Sequence, residues 1–286
     1  MATILFDGLA FGALLFLIGV GLSVTMGLMN FVNLAHGSFA MVGGYVAAVA
    51  MNDYGVPFVP ALVLAMGAGA VSGALAEVLL IRHLYRAHPL DQVLLSIGLV
   101  FVSVAVATYF FGPTMLPFAP PAWLDGQFAV AGLDLSRYRL FLIVVGAVLV
   151  VALLLFLDRT RYGAMIRAAV DNQRVAQATG IDVRRLFFLT FTFGCALAGL
   201  GGALSLGMLS LNPVFPLRYM VYFLIVVSVG GAGTITGPLL AAIILGIGDL
   251  AGKYYLPEAG GFLIYLLMLA ILLVRPNGLI PKKGGA

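Results

Sequence analysis

Charge is concentrated in one stretch of an otherwise apolar chain. Nine of the 26 charged residues fall within the 28 positions from Asp158 to Arg185. One charge at the centre of a bilayer costs roughly 2.5–3.5 kcal/mol, so this stretch must face water. Hydrophobic residues make up 63 % of the chain and charged residues 9 %, against about 45–50 % and 25 % in soluble domains. The sequence predicts an all-α integral membrane protein with a water-facing loop at about residues 158–185.

The length of 286 residues limits how such a chain can be organised. With about 20 residues for each span, we expect a single transmembrane domain, residues 1–286, with eight to nine transmembrane helices, some of them broken or re-entrant. Such an arrangement leaves no room for a soluble domain. Any energy source outside the membrane must then come from partner proteins.

The basic residues indicate which side of the membrane each loop occupies. An alternating topology places eleven of them on one side and four on the other. The eleven are Arg82, Arg86, Arg159, Arg161, Arg167, Arg174, Arg184, Arg185, Arg275, Lys282 and Lys283, and the four are Arg137, Arg139, Arg218 and Lys253. An excess of Lys and Arg marks cytoplasmic loops, so we expect loop 158–185 and the C-terminus in the cytoplasm. This bias accounts for the net charge of +4 without a nucleic-acid partner.

A polar but uncharged break, Asn30–Ser38, follows the first apolar segment. The apolar run after it, Phe39–Met51, has only 13 residues, too few to cross a bilayer as a helix. Non-helical backbone is tolerated at membrane depth where protein or a water-filled cavity satisfies its polar groups. The break therefore predicts a broken or re-entrant element.

The polar side chains of this break have two interpretations. Asn30, Asn33 and His36 are three residues apart, so on a helix they would share one third of the circumference. Together with Gly37 they would line a translocation pathway or its gate. Alternatively, they cap a helix break and join two helices by hydrogen bonds. The sequence leaves both interpretations open.

A second uncharged break, Gly230–Pro238, is followed by another short apolar run, Leu239–Leu250. Paired interruptions in the two halves of a transporter indicate internal repeats with the pathway between them. We therefore expect this break to flank the pathway opposite the first one. Its candidate pathway residues are Gly230, Gly231, Gly233 and Thr234.

The charged loop contains a predicted helix at Ala164–Thr179. Gly180 follows in the position of a C-terminal cap, and Asp182 is suited to cap the next helix. A short helix with small residues lying along the membrane either seats in a groove on another protein or is an ordinary solvated loop helix. The charged residues on it are Arg167, Asp171 and Arg174.

Titratable residues inside the apolar segments are few. Glu77 lies near Arg82, which favours an interfacial ion pair over a functional carboxylate. Glu77, Asp249 and His36 are far apart in sequence, which argues against an intramembrane enzyme. The single cysteine, Cys195, lies in an apolar run and is expected to be a small core residue. We predict no catalytic residue, no metal site and no cofactor.

The segment Leu186–Leu209 carries small residues at every fourth position. Such ridges let helices approach closely where lipid provides no hydrophobic drive for association. They predict tight packing, either within the chain or with a second subunit. The two sets are Gly194, Ala198 and Gly202, and Gly199, Ala203 and Gly207.

Several of these stretches resemble the LivH-type permeases of branched-chain amino acid ABC transporters. In chain order they are Asn30–Phe39, Gly43–Tyr45, Asp158–Gly163, the stretch to Gly180–Ile181, Gly230–Pro238 and Arg275–Leu279. The resemblance implies an ABC importer permease in the bacterial inner membrane. It further implies three kinds of partner: a second, LivM-like permease subunit, two cytoplasmic ATP-binding subunits and a periplasmic substrate-binding protein.

The ATPase-docking loop of ABC importers carries an acidic residue, two alanines, three further residues and a glycine. Ala176 and Gly180 match the second alanine and the glycine, whereas Arg174 and Val175 depart from the pattern. The resemblance therefore implies the location of ATPase coupling, with Arg167 and Asp171 nearby, but not its side-chain details. The chain has no Gly-x-x-x-x-Gly-Lys-Ser/Thr phosphate loop, so ATP must be hydrolysed by the partners.

The first expectation for the substrate is leucine, isoleucine and valine. Urea, short amides and other amino acids stay open, because fold does not determine substrate. A stand-alone secondary transporter or channel is an alternative of another class, and it would not need an ATPase.

Overall fold

A computed structural model describes residues 1–29, 31–85, 87–130, 133–258 and 260–280. Within these ranges the chain forms α-helices, a short 3-10 helix at Ile81–Leu84 and one two-stranded hairpin. The helices are α1 (Ala2–Met29), α2 (His36–Asn52), α3 (Phe58–Leu79), α4 (Pro89–Phe111), α5 (Arg137–Arg159), α6 (Arg161–Asp171), α7 (Gln173–Ala178), α8 (Val183–Ser205), α9 (Phe215–Gly230), α10 (Thr236–Tyr255) and α11 (Gly260–Val274). The antiparallel strands β1 (Gln127–Val130) and β2 (Leu133–Ser136) precede α5.

Six helices in the described part of the chain are long and apolar enough to cross a membrane, namely α1, α3, α4, α5, α8 and α10. Helices α9 and α11 are shorter, and α2 has 17 residues. The all-helical class and the multi-pass arrangement are confirmed. The expected count of eight to nine transmembrane helices is not confirmed.

Helices α1 and α8 form the centre of the bundle. Helix α1 is buried on all sides, since consecutive residues such as Leu14, Leu15 and Phe16 are fully inaccessible. It packs against α5, α8, α9 and α10, while α8 packs against α1, α2 and α3. A helix that is apolar around its whole circumference can be surrounded by protein or by lipid, and here the neighbouring helices surround α1.

The small residues of α8 permit this close packing. A Cβ atom on Gly202 would lie 1.8 Å from the carbonyl oxygen of Ala40, and one on Gly199 would lie 2.4 Å from that of Ala65. The predicted tight contacts are therefore present within the chain, to α2 and α3. Cys195 lies on the same helix with 1 % of its surface exposed, which confirms it as a core residue.

Helices α1–α3 and α8–α10 form two groups that make corresponding contacts. In this correspondence α1 matches α8, α2 matches α9 and α3 matches α10. The contact of α1 with α10 then matches that of α8 with α3, and the contact of α1 with α9 matches that of α8 with α2. Helices α1 and α8 are antiparallel, because Ile18 adjoins Gly201 whereas Thr25 adjoins Gly194. This is the pattern of an inverted repeat. The link that corresponds to residues 31–35 is then 206–214, between α8 and α9, and not the Gly230–Pro238 break that the sequence pattern indicates.

Candidate functional site

Helix α2 begins inside the bundle. The Nε2 atom of His36 donates a hydrogen bond of 2.9 Å to the carbonyl oxygen of Ile18, in the interior of α1. At about 1.5 Å per residue, Ile18 lies roughly 16 Å before the end of α1 at Met29. The chain therefore turns back into the bundle between α1 and α2, which is the re-entrant geometry expected from the polar break.

The polar residues of this break do not share a helix face. Residues 31–35 are non-helical, and α2 begins only at His36, with Gly37 as its second residue. The side chain of Asn33 is 1 % exposed, and its Oδ1 atom accepts a hydrogen bond of 3.1 Å from the Ala35 amide. Its Nδ2 atom has no hydrogen-bond partner among the described residues. Asn30 lies outside the described residues.

The start of α2 lies against the start of α9. A Cβ atom on Gly37 would lie 3.2 Å from the Cα atom of Pro216 and 3.4 Å from the ring of Phe223. Helix α9 runs parallel to α1, as the contacts Phe11–Tyr222 and Gly19–Val226 show. Two short helices of opposite direction thus begin beside each other within the bundle.

Asn212 occupies the position in the second repeat that Asn33 occupies in the first. The carbonyl oxygens of Asn33 and Asn212 accept hydrogen bonds from the first amides of α2 and α9, at 3.3 and 3.0 Å. The Asn212 side chain is 9 % exposed, and its Oδ1 atom has no partner in the described part of the chain. Sequence reasoning missed Asn212. The available signal was an asparagine three residues before an apolar helix in both halves.

The glycine-rich break between α9 and α10 packs on the other end of α1. The Gly233 amide donates to the Ser23 carbonyl oxygen at 3.0 Å, and the Ser23 hydroxyl donates to the Thr234 carbonyl oxygen at 2.9 Å. Gly231 and Gly233 have φ angles of +95° and +85°, a conformation that favours glycine. A Cβ atom on Gly27 would lie 2.0 Å from the Cα atom of Gly233. Glycine is therefore required on both sides of this contact.

The chain segment after α11 closes over the same break. The amide of Leu279 donates a hydrogen bond of 2.7 Å to the carbonyl oxygen of Val229. The amide of Ile280 donates one of 3.3 Å to the carbonyl oxygen of Gly230. These bonds satisfy carbonyl groups at the C-terminal end of α9 that have no partner within the helix. The break is thus held on one side by α1, through Gly233 and Thr234, and on the other by the segment after α11, which contacts Gly230 and Gly231.

The charged loop 158–185 contains two short helices where the sequence predicts one. Helix α6 ends at Asp171, Asn172 has extended backbone, and α7 follows. The Asn172 side chain caps α7, accepting hydrogen bonds from the amides of Arg174 and Val175 at 3.0 and 3.1 Å. The prediction of a continuous helix over Ala164–Thr179 is wrong because this capping competes with helix continuation.

The predicted ends of this loop are confirmed. Gly180 has a φ angle of +88°, and the Ile181 amide donates to the Ala176 carbonyl oxygen at 3.1 Å, which closes α7. The Asp182 side chain accepts a hydrogen bond of 3.0 Å from the Arg185 amide and caps α8.

Helix α7 has a buried face and an exposed face. Ala176 is 2 % exposed and contacts the bundle, whereas Arg174 and Val175 face outward, Val175 with 58 % of its surface exposed. Gln173 joins α7 to α1, since its Nε2 atom donates to the carbonyl oxygen of Leu28 at 2.8 Å. The helix is therefore attached to the end of α1 while it presents an apolar side chain to solvent.

Residues of α6 and of the second break line one cavity. A cavity of about 200 Å³ is lined by Arg167 and Asp171 of α6 and by Gly233 and Thr234 of the break. Arg167 forms an ion pair of 3.6 Å with Asp158 and also donates to the carbonyl oxygen of Leu157. Two regions that lie far apart in the sequence thus meet at the C-terminal half of α1, where Val24 also lines the cavity.

Glu77 and Arg82 form the expected ion pair. Their closest oxygen and nitrogen atoms are 2.8 Å apart, and the Tyr85 hydroxyl donates to the other carboxylate oxygen at 2.7 Å. Burial and the hydrogen bond with Glu77 raise the pKa of Tyr85. Glu77 therefore stabilises the turn between α3 and α4. Within the described residues, no three His, Cys, Asp or Glu side chains are grouped so as to hold a metal ion.

Known proteins match this chain over nearly its whole length. The family described as "Branched-chain amino acid transport system / permease component" matches residues 4–272. The "Probable branched-chain amino acid transport permease protein LivH" of Methanocaldococcus jannaschii is 30 % identical, with 96 % of this chain and 91 % of the relative covered. The "High-affinity branched-chain amino acid transport system permease protein BraD" of Pseudomonas aeruginosa is 27 % identical, with 97 % and 95 % covered.

Two further results complete the comparison. The "High-affinity branched-chain amino acid transport system permease protein LivH" of Escherichia coli is 27 % identical, with 97 % of this chain and 94 % of the relative covered. No solved structure matches significantly. Because the family match spans nearly the whole chain and the full-length relatives are LivH and BraD permeases, the chain belongs to the branched-chain amino acid transport permease family and is of the LivH type.

Proposed function

We propose that this chain is one of two permease subunits of an ABC importer that moves leucine, isoleucine and valine into the cell. The observation that carries this proposal is the cavity shared by α6 and the α9–α10 break, because it joins the charged loop, where ATP-binding subunits would dock, to the transmembrane bundle. The names of the LivH and BraD relatives support branched-chain amino acids as substrates.

The partners follow from the same assignment. Two cytoplasmic ATP-binding subunits would supply energy, and a periplasmic binding protein would deliver substrate. A second permease would be LivM-like, and a LivM protein of M. jannaschii is 30 % identical to this chain over 148 residues, 45 % of its length. The inner membrane with a cytoplasmic C-terminus fits the eleven basic residues on the side of α6 and α7.

Energy coupling would run through α7 and the end of α1. An ATP-binding subunit would bind the exposed face that includes Arg174 and Val175. Its movement would reach α1 through the hydrogen bond between Gln173 and Leu28, and would reach Gly233 through that residue's bond to Ser23. The same movement would act on the cavity between Asp171 and Thr234. The α9–α10 break is thus a candidate cytoplasmic gate.

The substrate pathway would pass the adjoining starts of α2 and α9. Helix N-termini carry partial positive charge, which suits the carboxylate of an amino acid. Asn33 and Asn212 add amide groups with unused hydrogen-bonding atoms, and His36 and Gly37 set the position of α2. The apolar surroundings would accept an aliphatic side chain. Alternating access would require the two inverted repeats to move relative to each other.

Uptake into membrane vesicles tests class and substrate together. The vesicles contain the permease, its second permease subunit, the two ATP-binding subunits and the binding protein, with labelled leucine outside and urea or acetamide as competitors. We expect saturable leucine uptake that requires ATP. ATP-driven uptake of urea or amide without leucine uptake would overturn the substrate, and uptake that follows an ion gradient without the ATPases would overturn the class.

Docking is tested separately from transport. Replacing Asp171 and Arg174 with alanine should reduce recovery of the ATP-binding subunits with the tagged permease, while the permease stays inserted and folded. Arg184→Ala, an exposed arginine on α8, is the control. Unchanged recovery with the double variant would contradict the assignment of α6 and α7 as the coupling site.

A further inference from the structure

An apolar slot lies between α5 and α8 in the half of the bundle next to α6. Its volume is about 350 Å³, and α1 forms its floor through Gly21 and Val24. Leu153 and Phe156 of α5 form one wall, and Leu189 and Phe193 of α8 form the other. The rings of Phe156 and Phe193 stack across the gap with centroids 5.9 Å apart. The slot is thus a gap between two spans that both pack on α1.

The slot is open at its side. Leu189, Phe193 and Tyr162 line it, yet 38 %, 42 % and 49 % of their surfaces are exposed. Because the flanking helices are apolar spans, this opening faces the hydrocarbon of the bilayer and not water. An apolar cavity of this kind does not hold ordered water. Between Phe156 and Phe193, whose ring centroids are 5.9 Å apart, the slot is narrower than an α-helix with its side chains, which needs about 10–12 Å.

A polar hollow continues the slot towards the cytoplasm. It has a volume of about 210 Å³ and shares Tyr162, Leu186 and Leu189 with the slot. Arg185 and Asp182 also line it. The Asp182 carboxylate already accepts a hydrogen bond from the Arg185 amide as the cap of α8. The side chain of Arg185 is therefore the group that can receive an anion at this mouth.

Three more arginines lie at the ends of α5, α6 and α8, and two of them are next in sequence to Tyr162 and Arg185, which line the hollow. They are Arg159, Arg161 and Arg184, and all three are exposed. Among the ion pairs of the described residues, none involves these three arginines or Arg185. A basic cluster at the cytoplasmic surface attracts the head groups of anionic lipids. The apolar slot suits the acyl chain of a lipid, and the basic mouth suits its anionic head group.

We propose that the slot and its mouth bind one anionic phospholipid of the cytoplasmic leaflet. One acyl chain lies between α5 and α8, and the phosphate contacts Arg185. Tyr162 and Ile166 of α6 form part of the slot wall, so the lipid would contact α6 from the membrane side and stabilise its position. This last consequence depends on the proposed coupling role of α6, whereas lipid binding does not.

Retention of lipid by the purified complex tests the proposal. The permease with its partner subunits is incubated in detergent with palmitoyl-oleoyl phosphatidylglycerol or phosphatidylcholine, and bound lipid is counted by native mass spectrometry. We expect one phosphatidylglycerol to be retained in preference to phosphatidylcholine. Titration of the lipid should show that Arg185→Gln raises the dissociation constant for phosphatidylglycerol about fivefold, which corresponds to about 1 kcal/mol per arginine.

Two further variants separate the slot from general charge. Leu189→Trp fills the slot and should displace the lipid although every arginine remains. Arg275→Gln removes an exposed arginine at the cytoplasmic end of α11 and should leave retention unchanged. Equal retention of both lipids, or equal losses in Arg185→Gln and Arg275→Gln, would overturn the proposal. Cross-linking of a partner subunit within the slot would overturn it as well. None of these measurements requires transport, so they stand apart from the uptake assay.

Discussion

The imidazole of His36 donates a 2.9 Å hydrogen bond to the carbonyl oxygen of Ile18 and holds the first residue of α2 against the interior of α1. The side chain is 2 % exposed, so water cannot replace this bond. Since α2 begins within the bundle, the bond also determines how far the re-entrant segment reaches. The adjoining start of α9 then depends on the position of Gly37.

Replacing His36 with leucine should lower the stability of the protein and its rate of leucine transport. The variant keeps a similar volume but loses the bond to Ile18, which is worth about 0.5–1.5 kcal/mol. We expect a lower unfolding temperature and reduced leucine uptake at equal membrane abundance. His83→Leu, at an exposed histidine in the turn after α3, serves as the control. If His36→Leu unfolds and transports like the unchanged protein, the bond does not position α2.

Replacing Gly202 with alanine should prevent correct packing. The added Cβ atom would lie 1.8 Å from the carbonyl oxygen of Ala40, and only a shift of α2 or α8 could relieve that clash. Gly67→Ala is the matched control, because a Cβ atom there meets nothing within 4 Å. Size-exclusion chromatography of the two variants in detergent should show loss of the folded species only for Gly202→Ala. Equal yields would mean that the two helices are not in contact as described.

Replacing Gly233 with alanine tests the α9–α10 break. Gly126→Ala is a close control, since both residues have φ angles near +85°, and strain of about 1–2 kcal/mol applies to both. Only Gly233 is also close to Gly27, whose Cα atom would lie 3.0 Å from the new Cβ atom. We expect Gly233→Ala to reduce leucine uptake while ATP-binding subunits remain bound, with uptake retained in Gly126→Ala. Similar leucine uptake in both variants would contradict the proposal that the α9–α10 break forms the gate.

Replacing Gln173 with alanine should uncouple the ATPases from transport. The change removes the 2.8 Å bond to Leu28 but leaves Arg174 and Val175 on the exposed face of α7. The ATP-binding subunits should still copurify, and the number of leucine molecules moved per ATP hydrolysed should fall. Gln177→Ala changes an exposed glutamine of the same helix and should behave like the unchanged protein. An unaltered ratio in Gln173→Ala would exclude α1 as the route of coupling.

The sequence predicts local features of this fold well where composition or capping chemistry decides them. The cap at Gly180 and the N-cap at Asp182 agree with the structure because each depends on neighbouring residues alone. The sequence also locates both breaks, since a polar or glycine-rich interruption is visible in an apolar chain. The small-residue ridges of α8 likewise predict its close packing.

Contacts between residues far apart in the chain could not be predicted from the sequence. Gln173 and Leu28 are 145 positions apart, and no periodic pattern joins them. The division between α6 and α7 depends on whether Asn172 caps or continues a helix, and both are compatible with the local sequence. The repeat relationship depends on the order and direction of the helices, which composition does not reveal. Composition alone therefore indicates Gly230–Pro238 as the counterpart of the first break, whereas the structure gives the link that contains Asn212.

The burial of Cys195 makes the native chain suitable for spectroscopic labelling. Its thiol lies between α8 and α3 with 1 % of its surface exposed, and it is the single cysteine of the chain. Maleimide reagents in solution would therefore leave it unreacted while the protein is folded. A cysteine introduced at Gln177 could carry a fluorophore or spin label without prior removal of the native thiol. The movement of α7 through the ATP cycle could then be followed directly in an otherwise unaltered protein.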